Sequence, residues 1–368
     1  MNEPSSAACA ADSSGECPRC GKLPARSSSR GFGVIIWPPA GHVRDHIRRI
    51  AQRQDITLEP AGFNEALTWA TTDSGALASF VDRLVAELSP VEAADVRIFL
   101  GPPDGFGIAH GRLVTNLLDA HARLRADWLL ELLEGQRLVS WMQPLFLAED
   151  GTLDGYEFLL RGLDAEGGII APGPMFDVAR RADLLFQLDL AARRTAIRTA
   201  AEQGITERIF INFTPNAIYD PAFCLRATVQ LVEEAGLSPD RVVFEITEGD
   251  HEHDTDHLRA ILRFYRSRGF RVALDDVGAG FATLNRLHEL QPDIVKIDMA
   301  IVRGADGDPF KRTIARKLIE TAQELDIQTV AEGIETEGER RYFAELGTTW
   351  LQGWHLARPA PTPWTPAP

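Results

Sequence analysis

The pattern of apolar and polar positions changes at residue 136. From there to residue 361, short apolar segments alternate with longer segments whose apolar residues recur at three- and four-residue steps. Short apolar runs predict buried strands, and the longer periodic segments predict helices. Eight strands with interleaved helices predict a closed α/β barrel of the (β/α)8 TIM-like type; a doubly wound sheet would need a Gly-rich phosphate turn, which the sequence lacks. The predicted strands are Leu138–Pro144, Gly155–Arg161, Ile209–Thr214, Val242–Thr247, Val272–Asp276, Ile294–Asp298, Thr329–Glu332 and Trp350–Trp354.

The first part of the chain has a different pattern. Residues 31–115 predict a small α/β module, with short apolar strands near both ends and helical spacing between them. Such a module is either a regulatory or sensory domain or a packing and dimerisation module, and the sequence does not separate the two. Residues 112–135 predict one amphipathic connecting helix that ends at Gly135. That helix would transmit a signal, form a dimer seam or simply pack on the following domain.

Residues 1–30 predict a leader rich in Ser, Ala, Gly and Pro, and residues 362–368 a short tail. The leader contains Cys17-Pro-Arg-Cys20, whose spacing is half of a zinc knuckle, with Cys9 as the candidate third ligand. Bound Zn²⁺ and an unliganded pair of thiols are both open interpretations. Four cysteines in 368 residues do not predict a disulfide scaffold, so we expect a reduced, cytoplasmic protein.

Charge limits the classes of partner. The chain has 38 Lys+Arg against 53 Asp+Glu, a formal net charge of −15, which argues against non-specific binding of DNA or of an anionic membrane. Neither a secretory signal nor an apolar run of about 18 residues occurs, so the sequence predicts no membrane span. Any phosphate site must therefore be built locally, from metal ions or from a few placed Arg and Lys.

Five of the eight predicted strands of the barrel region carry an acid, in most of them at or near the carboxyl end. Because the carboxyl ends of barrel strands meet at one mouth, these side chains are expected to converge. Buried carboxylates must be paired, protonated or bound to metal, and Lys296, the strand-borne cation in a comparable position, cannot neutralise them all. Each acid alone is explained by an ion pair or a helix cap, but the set favours two Mg²⁺ or Mn²⁺ ions. The polar strand-end residues are Glu157, Asn212, Glu245, Asp275, Asp276, Asp298 and Glu332.

These residues lie in motifs that together resemble the EAL domain family, whose members are cyclic di-GMP phosphodiesterases. The naming motif Glu-x-Leu-x-Arg stands here as Glu157-Phe158-Leu159-Leu160-Arg161, with Phe158 where Ala is usual. The motifs keep the family's order over residues 136–361. The others are Gln143-Pro144-Leu145, Ile211-Asn212-Phe213-Thr214, Glu245-Ile246-Thr247-Glu248, Asp275-Asp276-Val277-Gly278-Ala279-Gly280, Lys296-Ile297-Asp298, Ala331-Glu332-Gly333-Ile334-Glu335-Thr336 and Gln352-Gly353-Trp354.

The resemblance implies hydrolysis of cyclic di-GMP to linear pGpG in an EAL-type barrel with two Mg²⁺ or Mn²⁺ ions. It implies catalytic roles for Lys296, which would hold the attacking water, for Glu332, and for Glu248, which would anchor the loop after Asp276. The implied metal ligands are Glu157, Asn212, Glu245, Asp275, Asp276 and Glu332. The implied substrate-binding residues are Gln143, Leu159, Arg161 (on a phosphate oxygen), Asp189 (at a guanine edge), Glu335 and Gln352.

Two other functions compete with hydrolysis. A cyclic di-GMP receptor that binds without cleaving is the main alternative, although such degenerate domains usually lack a metal ligand or the Lys, and here all are present. A protein-interaction regulator would use the barrel as a surface and would not need the acids. The resemblance also implies a homodimer.

Overall fold

A computed structural model describes residues 32–62, 65–101, 106–218, 220–247, 255–278 and 283–366. The predicted leader, with Cys9, Cys17 and Cys20, lies outside the described residues. Within them the chain forms two compact units: one contains 32–136 and 173–188, and the other contains 137–172 and 189–366. No helix in the described ranges is both long and apolar enough to cross a membrane.

The smaller unit contains the strands β1 (Phe32–Trp37), β2 (Glu59–Pro60), β3 (Leu67–Thr71), β4 (Arg97–Gly101) and β5 (Val114–Asn116) and the helices α1 (Gly41–Gln52), α2 (Ser74–Glu87), α3 (Pro90–Asp95), α4 (Leu117–Leu124) and α5 (Asp127–Glu134). The strands form an antiparallel sheet in the order β2-β3-β1-β4-β5. The first four strands with α1 and α2 follow the split βαβ pattern. Apolar residues of β1, α1 and α2 share one buried cluster, which explains the helical spacing of the sequence there.

The predicted helix over 112–135 is wrong as one continuous element. Residues 112 and 113 end a short 3-10 helix, and the next three residues form β5, which pairs with β4 through β-prone Val114 and Thr115. The side chain of Asn116 then accepts a hydrogen bond from the backbone N–H of Asp119 and begins α4. The chain leaves the helix at Arg125 and begins α5 after Ala126. The sequence did not reveal this break, because the apolar residues of α4 and α5 recur at the same helical spacing.

The larger unit contains the predicted barrel. Eight strands close a ring, because β6 pairs with both β7 and β14, and a two-residue strand, β8, extends from β7. One feature departs from a regular (β/α)8 barrel: β6 runs antiparallel to both of its neighbours. The strands are β6 (Leu138–Leu147), β7 (Leu153–Leu163), β8 (Ile169–Ile170), β9 (Arg208–Asn212), β10 (Val242–Thr247), β11 (Arg271–Val277), β12 (Ile294–Ile297), β13 (Gln328–Ala331) and β14 (Trp350–Leu351).

Helices separate most of these strands along the chain, as predicted. One of them, from Pro309 to Glu324, begins with Asp308, whose Oδ1 accepts hydrogen bonds from the N–H groups of Phe310 and Lys311. The helices are α6 (Pro172–Ala182), α7 (Leu185–Glu202), α8 (Pro221–Cys224), α9 (Arg226–Glu234), α10 (Thr255–Ser267), α11 (Thr283–Leu290), α12 (Met299–Val302), α13 (Pro309–Glu324) and α14 (Glu337–Glu345).

An apolar layer fills the lower part of the barrel interior. It takes one buried residue from nearly every strand, as expected for a packed barrel rather than a pore. On β7 the corresponding position is Gly155, where a Cβ atom would lie 3.1 Å from Cε2 of Phe210, so the missing side chain leaves room for the Phe210 ring. The layer consists of Leu145, Phe210, Val243, Ala273, Ile294, Val330 and Trp350.

Candidate active site

A polar layer lies directly above this apolar layer, toward the carboxyl ends of the parallel strands. Residues two positions apart on a strand point to the same face, so each interior apolar residue is followed two positions later by another interior residue. On β6, which is antiparallel, the equivalent residue is two positions earlier: Gln143, before Leu145. The polar layer consists of Gln143, Glu157, Asn212, Glu245, Asp275, Lys296, Glu332 and Gln352.

Strand β11 leaves regular geometry at its two adjacent acids. Consecutive residues of a regular strand point to opposite faces, so Asp275 and Asp276 would not both reach one cavity. The pairing of β11 with β12 shifts register between Leu274 and Val277, and Asp276 has a φ of 57°. A positive φ is costly for a non-glycine residue and is concentrated at functional sites. As a result Asp275, Asp276 and Glu332 each place a carboxylate oxygen within 4.8 Å of the other two.

Lys296 lies at the centre of a ring of buried acids. Its Nζ is 2.7 Å from Oε1 of Glu332, 2.9 Å from Oε1 of Glu245, 3.1 Å from Oδ1 of Asp275 and 3.5 Å from Oε2 of Glu157. The Lys296 side chain is 1% exposed. One ammonium therefore faces four carboxyl groups, so the ring contains more acid than base.

Burial raises the proton affinity of three acids in this ring. The pKa values of Glu245 and Glu332 lie well above the usual range, because desolvation and the neighbouring acids outweigh the attraction of Lys296. The pKa of Asp275 is raised for the same reasons. Outside the ring, burial and the charge of Asp275 raise the pKa of Asp276 to about 6. The site thus opposes full ionisation unless more positive charge is supplied.

Glu157 behaves in the opposite way. Burial favours its neutral form, but the charge of Lys296 and the hydrogen bonds from Gln352 and Asn212 outweigh that effect and lower its pKa. Gln352 donates from Nε2 to Oε2 at 2.8 Å, and Asn212 donates from Nδ2 to Oε1 at 3.1 Å. The same acids hold the pKa of Lys296 well above its usual value despite burial. Glu157 and Lys296 therefore form the ionised core of the site.

The donor set fits hard divalent cations. Both carboxylate oxygens of Glu245 are buried, and neither accepts a hydrogen bond of good geometry from any described residue. Lys296 approaches one of them to 2.9 Å, but this contact is Coulombic rather than aligned. A buried carboxylate with unmet acceptor capacity is costly, and a cation would satisfy it. Carboxylate and amide oxygens are the ligands that Mg²⁺, Mn²⁺ and Ca²⁺ prefer.

Gln352, which the sequence predicted to bind substrate, is almost completely buried. It is 3% exposed and uses its amide to support Glu157. A close backbone crossing sets its position, because a Cβ atom on Gly353 would lie 2.2 Å from both the N and O atoms of Ile334. Only glycine fits at that crossing, which explains the Gln-Gly pair in the sequence.

Two other acids singled out in the sequence lie in different surroundings. Asp298 caps α12 by accepting a hydrogen bond from the N–H of Ala300 at 2.7 Å, the ordinary role of a strand-end acid. Glu335 is 40% exposed and forms an ion pair with Arg303 at 2.5 Å. Glu248 and the loop residues 279–282 lie outside the described residues.

Asp189 gives no support to the expected guanine contact. It is 1% exposed, and its Oδ2 accepts hydrogen bonds from Nε and Nη2 of Arg193 at 3.1 and 2.6 Å. Its Oδ1 accepts a hydrogen bond from the backbone N–H of Thr214 at 2.8 Å. Both oxygens are thus engaged inside the protein. The acid that the sequence placed at the ligand is instead half of a buried ion pair.

Trp141, on the β6–β7 hairpin, is not among the site residues predicted from the sequence. Arg161 is half-buried, and its guanidinium carbon lies 5.3 Å from the ring centroid of Trp141. Leu159 lies directly opposite Trp141 in the register. The signal was present in the alternation of β6, because Trp141 is two positions before Gln143 and so belongs to the same face.

Comparisons with known proteins agree with this geometry. The family profile described as the EAL domain matches residues 126–359. The bifunctional diguanylate cyclase/cyclic di-GMP phosphodiesterase MucR of Pseudomonas aeruginosa is 30% identical over 243 residues, which cover 63% of this chain and 34% of MucR. The chain thus spans about a third of the length of that relative.

Solved structures share the barrel. A standalone EAL protein from Vibrio cholerae O395, in its c-di-GMP-bound form, is 32% identical with a TM-score of 0.56, and the match covers 61% of this chain and 93% of that one. The YkuI protein of Bacillus subtilis, in complex with c-di-GMP and calcium, is 26% identical with a TM-score of 0.55. That match covers 64% of this chain and 59% of YkuI.

Proposed function

The chain belongs to the EAL domain family, and from that premise we propose that its barrel is a metal-dependent phosphodiesterase that hydrolyses cyclic di-GMP to linear pGpG. The observation that carries the proposal is the ring of four acids around Lys296, with the nearby carboxylate of Asp276. MucR is named for this activity, and the Vibrio cholerae protein binds the same nucleotide. The intact set of acids favours turnover over silent binding.

The proposed metal ligands divide into two groups that share Asp275. Glu157, Asn212, Glu245 and Asp275 would hold one dication, and Asp275, Asp276 and Glu332 would hold the other. When bound, the dications lower the pKa of water and stabilise charge on the phosphate. We propose Mg²⁺ or Mn²⁺ because the donors are all oxygen. Melting curves with each chloride salt, compared with EDTA, test this choice without an activity assay.

The chain's own groups would handle the substrate and the proton. Lys296 would hold the attacking water through its ammonium group, and Arg161 would donate to a non-bridging phosphate oxygen. Gln143 and Leu159, both half-buried on the β6–β7 hairpin, would line the groove that binds the substrate. The water oxygen bonds to phosphorus, one P–O ester bond breaks, and the leaving oxygen takes a proton. The ring opens to pGpG.

The decisive experiment incubates the purified protein with cyclic di-GMP and Mg²⁺ or Mn²⁺ and separates the products by chromatography. The wild type should form pGpG, and the Glu157→Ala protein should form none because it lacks the best-supported acid. Tight binding without turnover by the wild type would overturn hydrolysis and leave the receptor function. Unchanged activity of the Glu157→Ala protein would overturn the site assignment.

A homodimer is the proposed assembly. On α13 the side chains of Phe310 and Ile314 are 82% and 47% exposed, so this helix leaves apolar surface uncovered in the described residues. Sedimentation of the wild type should give a dimer, and Phe310→Glu with Ile314→Glu should give a monomer. Lys317→Glu, on the same helix, serves as the control and should remain dimeric. A monomeric wild type at micromolar concentration would contradict the assembly.

The remaining sequence predictions are proposals about the first part of the chain and about location. The 31–115 module would regulate the barrel, Glu248 would anchor the loop after Asp276, and the protein would be cytoplasmic. For Cys9, Cys17 and Cys20, zinc content before and after Cys17→Ser decides whether a metal binds. Equal zinc in both proteins, or none in the wild type, would remove the zinc proposal.

A further inference from the structure

The β6–β7 hairpin extends past the carboxylate ring and presents a row of half-buried side chains. In its register Gln143 lies opposite Glu157, Trp141 opposite Leu159, and Val139 opposite Arg161. Directly opposed residues of antiparallel strands have their side chains on the same face. Trp141 and Arg161 therefore share the face of Glu157, which lies in the ring. This row forms one wall above the proposed metal site.

Trp141 and Arg161 are in contact on that wall. The distance of 5.3 Å from the guanidinium carbon to the ring centroid is within the range of a cation–π interaction. Nη1 of Arg161 also donates to the carbonyl oxygen of Leu160 at 2.7 Å. Arginine has five N–H donors, and the others meet no acceptor among the described residues. Arg161 is thus held in place while most of its donors stay available for a phosphate.

We propose that Trp141 is a substrate-binding residue that stacks on one guanine of cyclic di-GMP. This inference rests on the proposed function. An indole offers two faces, and Arg161 lies over one of them. The partial exposure of Trp141 leaves aromatic surface for a base. Trp141 and Arg161 are diagonal neighbours on the hairpin, about 7–8 Å apart at the backbone, so one nucleotide can offer its base to the first and its phosphate to the second.

Stacking on an aromatic side chain strengthens binding of any base, because every base has a π face. Trp141 should therefore set the affinity of the groove for the substrate rather than the rate of the chemical step. Among the described residues no hydrogen bond or ring contact joins Trp141 to the proposed metal ligands or to Lys296. A change at Trp141 is then expected in KM far more than in kcat.

The test measures KM, kcat and cyclic di-GMP affinity for the wild type, Trp141→Leu and Trp141→Phe. Trp141→Leu should raise KM and Kd about tenfold and lower kcat less than about threefold, because only the stacking face is lost. Trp141→Phe keeps an aromatic face and should stay within about threefold of the wild type. Ligand-induced quenching of tryptophan fluorescence should be smaller in Trp141→Phe than in the wild type.

Trp69→Leu is the matched control, because Trp69 is also half-buried but lies on β3 of the other unit. Its KM and Kd should equal those of the wild type. Equal Kd values for the wild type and Trp141→Leu would overturn the stacking role alone. An equal loss in Trp141→Phe and Trp141→Leu would also overturn it, by indicating a packing role. A wild type that binds no cyclic di-GMP would instead overturn the proposed function.

Discussion

Two groups of buried charge in the larger unit are built differently. Around Lys296, four acids surround one ammonium, and both oxygens of Glu245 lack a well-aligned hydrogen-bond donor among the described residues. The Asp189–Arg193 pair contains one acid and one base, which are 1% and 0% exposed. There the guanidinium donates to Asp189 and to Thr228, and the backbone N–H of Thr214 donates to Asp189.

The difference shows which property of buried charge indicates chemistry. Both groups contain fully buried charges, so burial alone does not distinguish a site from a structural pair. The Asp189–Arg193 pair is balanced and hydrogen-bonded, which is the arrangement that makes a buried ion pair tolerable. The Lys296 ring has an excess of acid that only added cations or protons can balance. Imbalance, rather than burial, separates the candidate active site from its structural neighbour.

The largest expected effect is the loss of turnover when Lys296, the cation of the unbalanced ring, is replaced. Lys296→Met should lower kcat about 10³–10⁴-fold, because the attacking water loses its positioning donor. The measurement is pGpG formation at saturating cyclic di-GMP and Mg²⁺. Lys317→Met, which removes an exposed lysine from α13, should keep wild-type activity. Retained activity in Lys296→Met would contradict the role of the ring.

Disruption of the balanced Asp189–Arg193 pair should lower the stability of the protein. Arg193→Met leaves Asp189 buried and unpaired, which should lower the free energy of unfolding by about 3–5 kcal/mol. Urea denaturation gives this value. The double variant Asp189→Leu with Arg193→Met should recover most of the loss, because no buried charge remains. A single variant as stable as the wild type would show that the pair is not desolvated as described.

Divalent ions should stabilise the protein through the unbalanced ring. At a free Mg²⁺ concentration of 100 times Kd, mass action should add about 2.7 kcal/mol to the free energy of unfolding. Removal of Mg²⁺ with EDTA should lower the melting temperature of the wild type. Arg193→Lys should show the same Mg²⁺ shift as the wild type, since that pair lies outside the ring. A Mg²⁺ shift that persists in Asp275→Asn would place the metal elsewhere.

The smallest expected effect is on the free energy of unfolding, and its sign is what distinguishes the two kinds of buried charge. Glu245→Gln removes one acid from a ring that has too many, so in EDTA it should leave the free energy of unfolding unchanged or raise it by up to about 1 kcal/mol. The pKa of Glu245 is already raised well above its usual value, so the neutral amide resembles the state that burial favours. Destabilisation of several kcal/mol would mean that Glu245 is a balanced partner like Asp189.

Local sequence pattern was sufficient for most of the barrel. The eight predicted strands are all present within about three residues at each end, because an apolar run bounded by polar residues is a local property. The layered interior follows from the same alternation, since a polar residue two positions after a buried apolar one must face the same cavity. The helix predicted over 112–135 failed because the pairing of β5 with β4, a non-local contact, decided its first residues.

The sequence by itself determined which residue types stand at the strand ends and that their acids outnumber their bases. Only the tertiary structure decided which partner each acid contacts. Asp276 reaches the cavity through a break in β11, Asp298 turns to cap a helix, and Asp189 meets Arg193 and Thr214. The reason is that a carboxylate's partner depends on which distant segments pack beside it. Spacing along one strand does not encode that information.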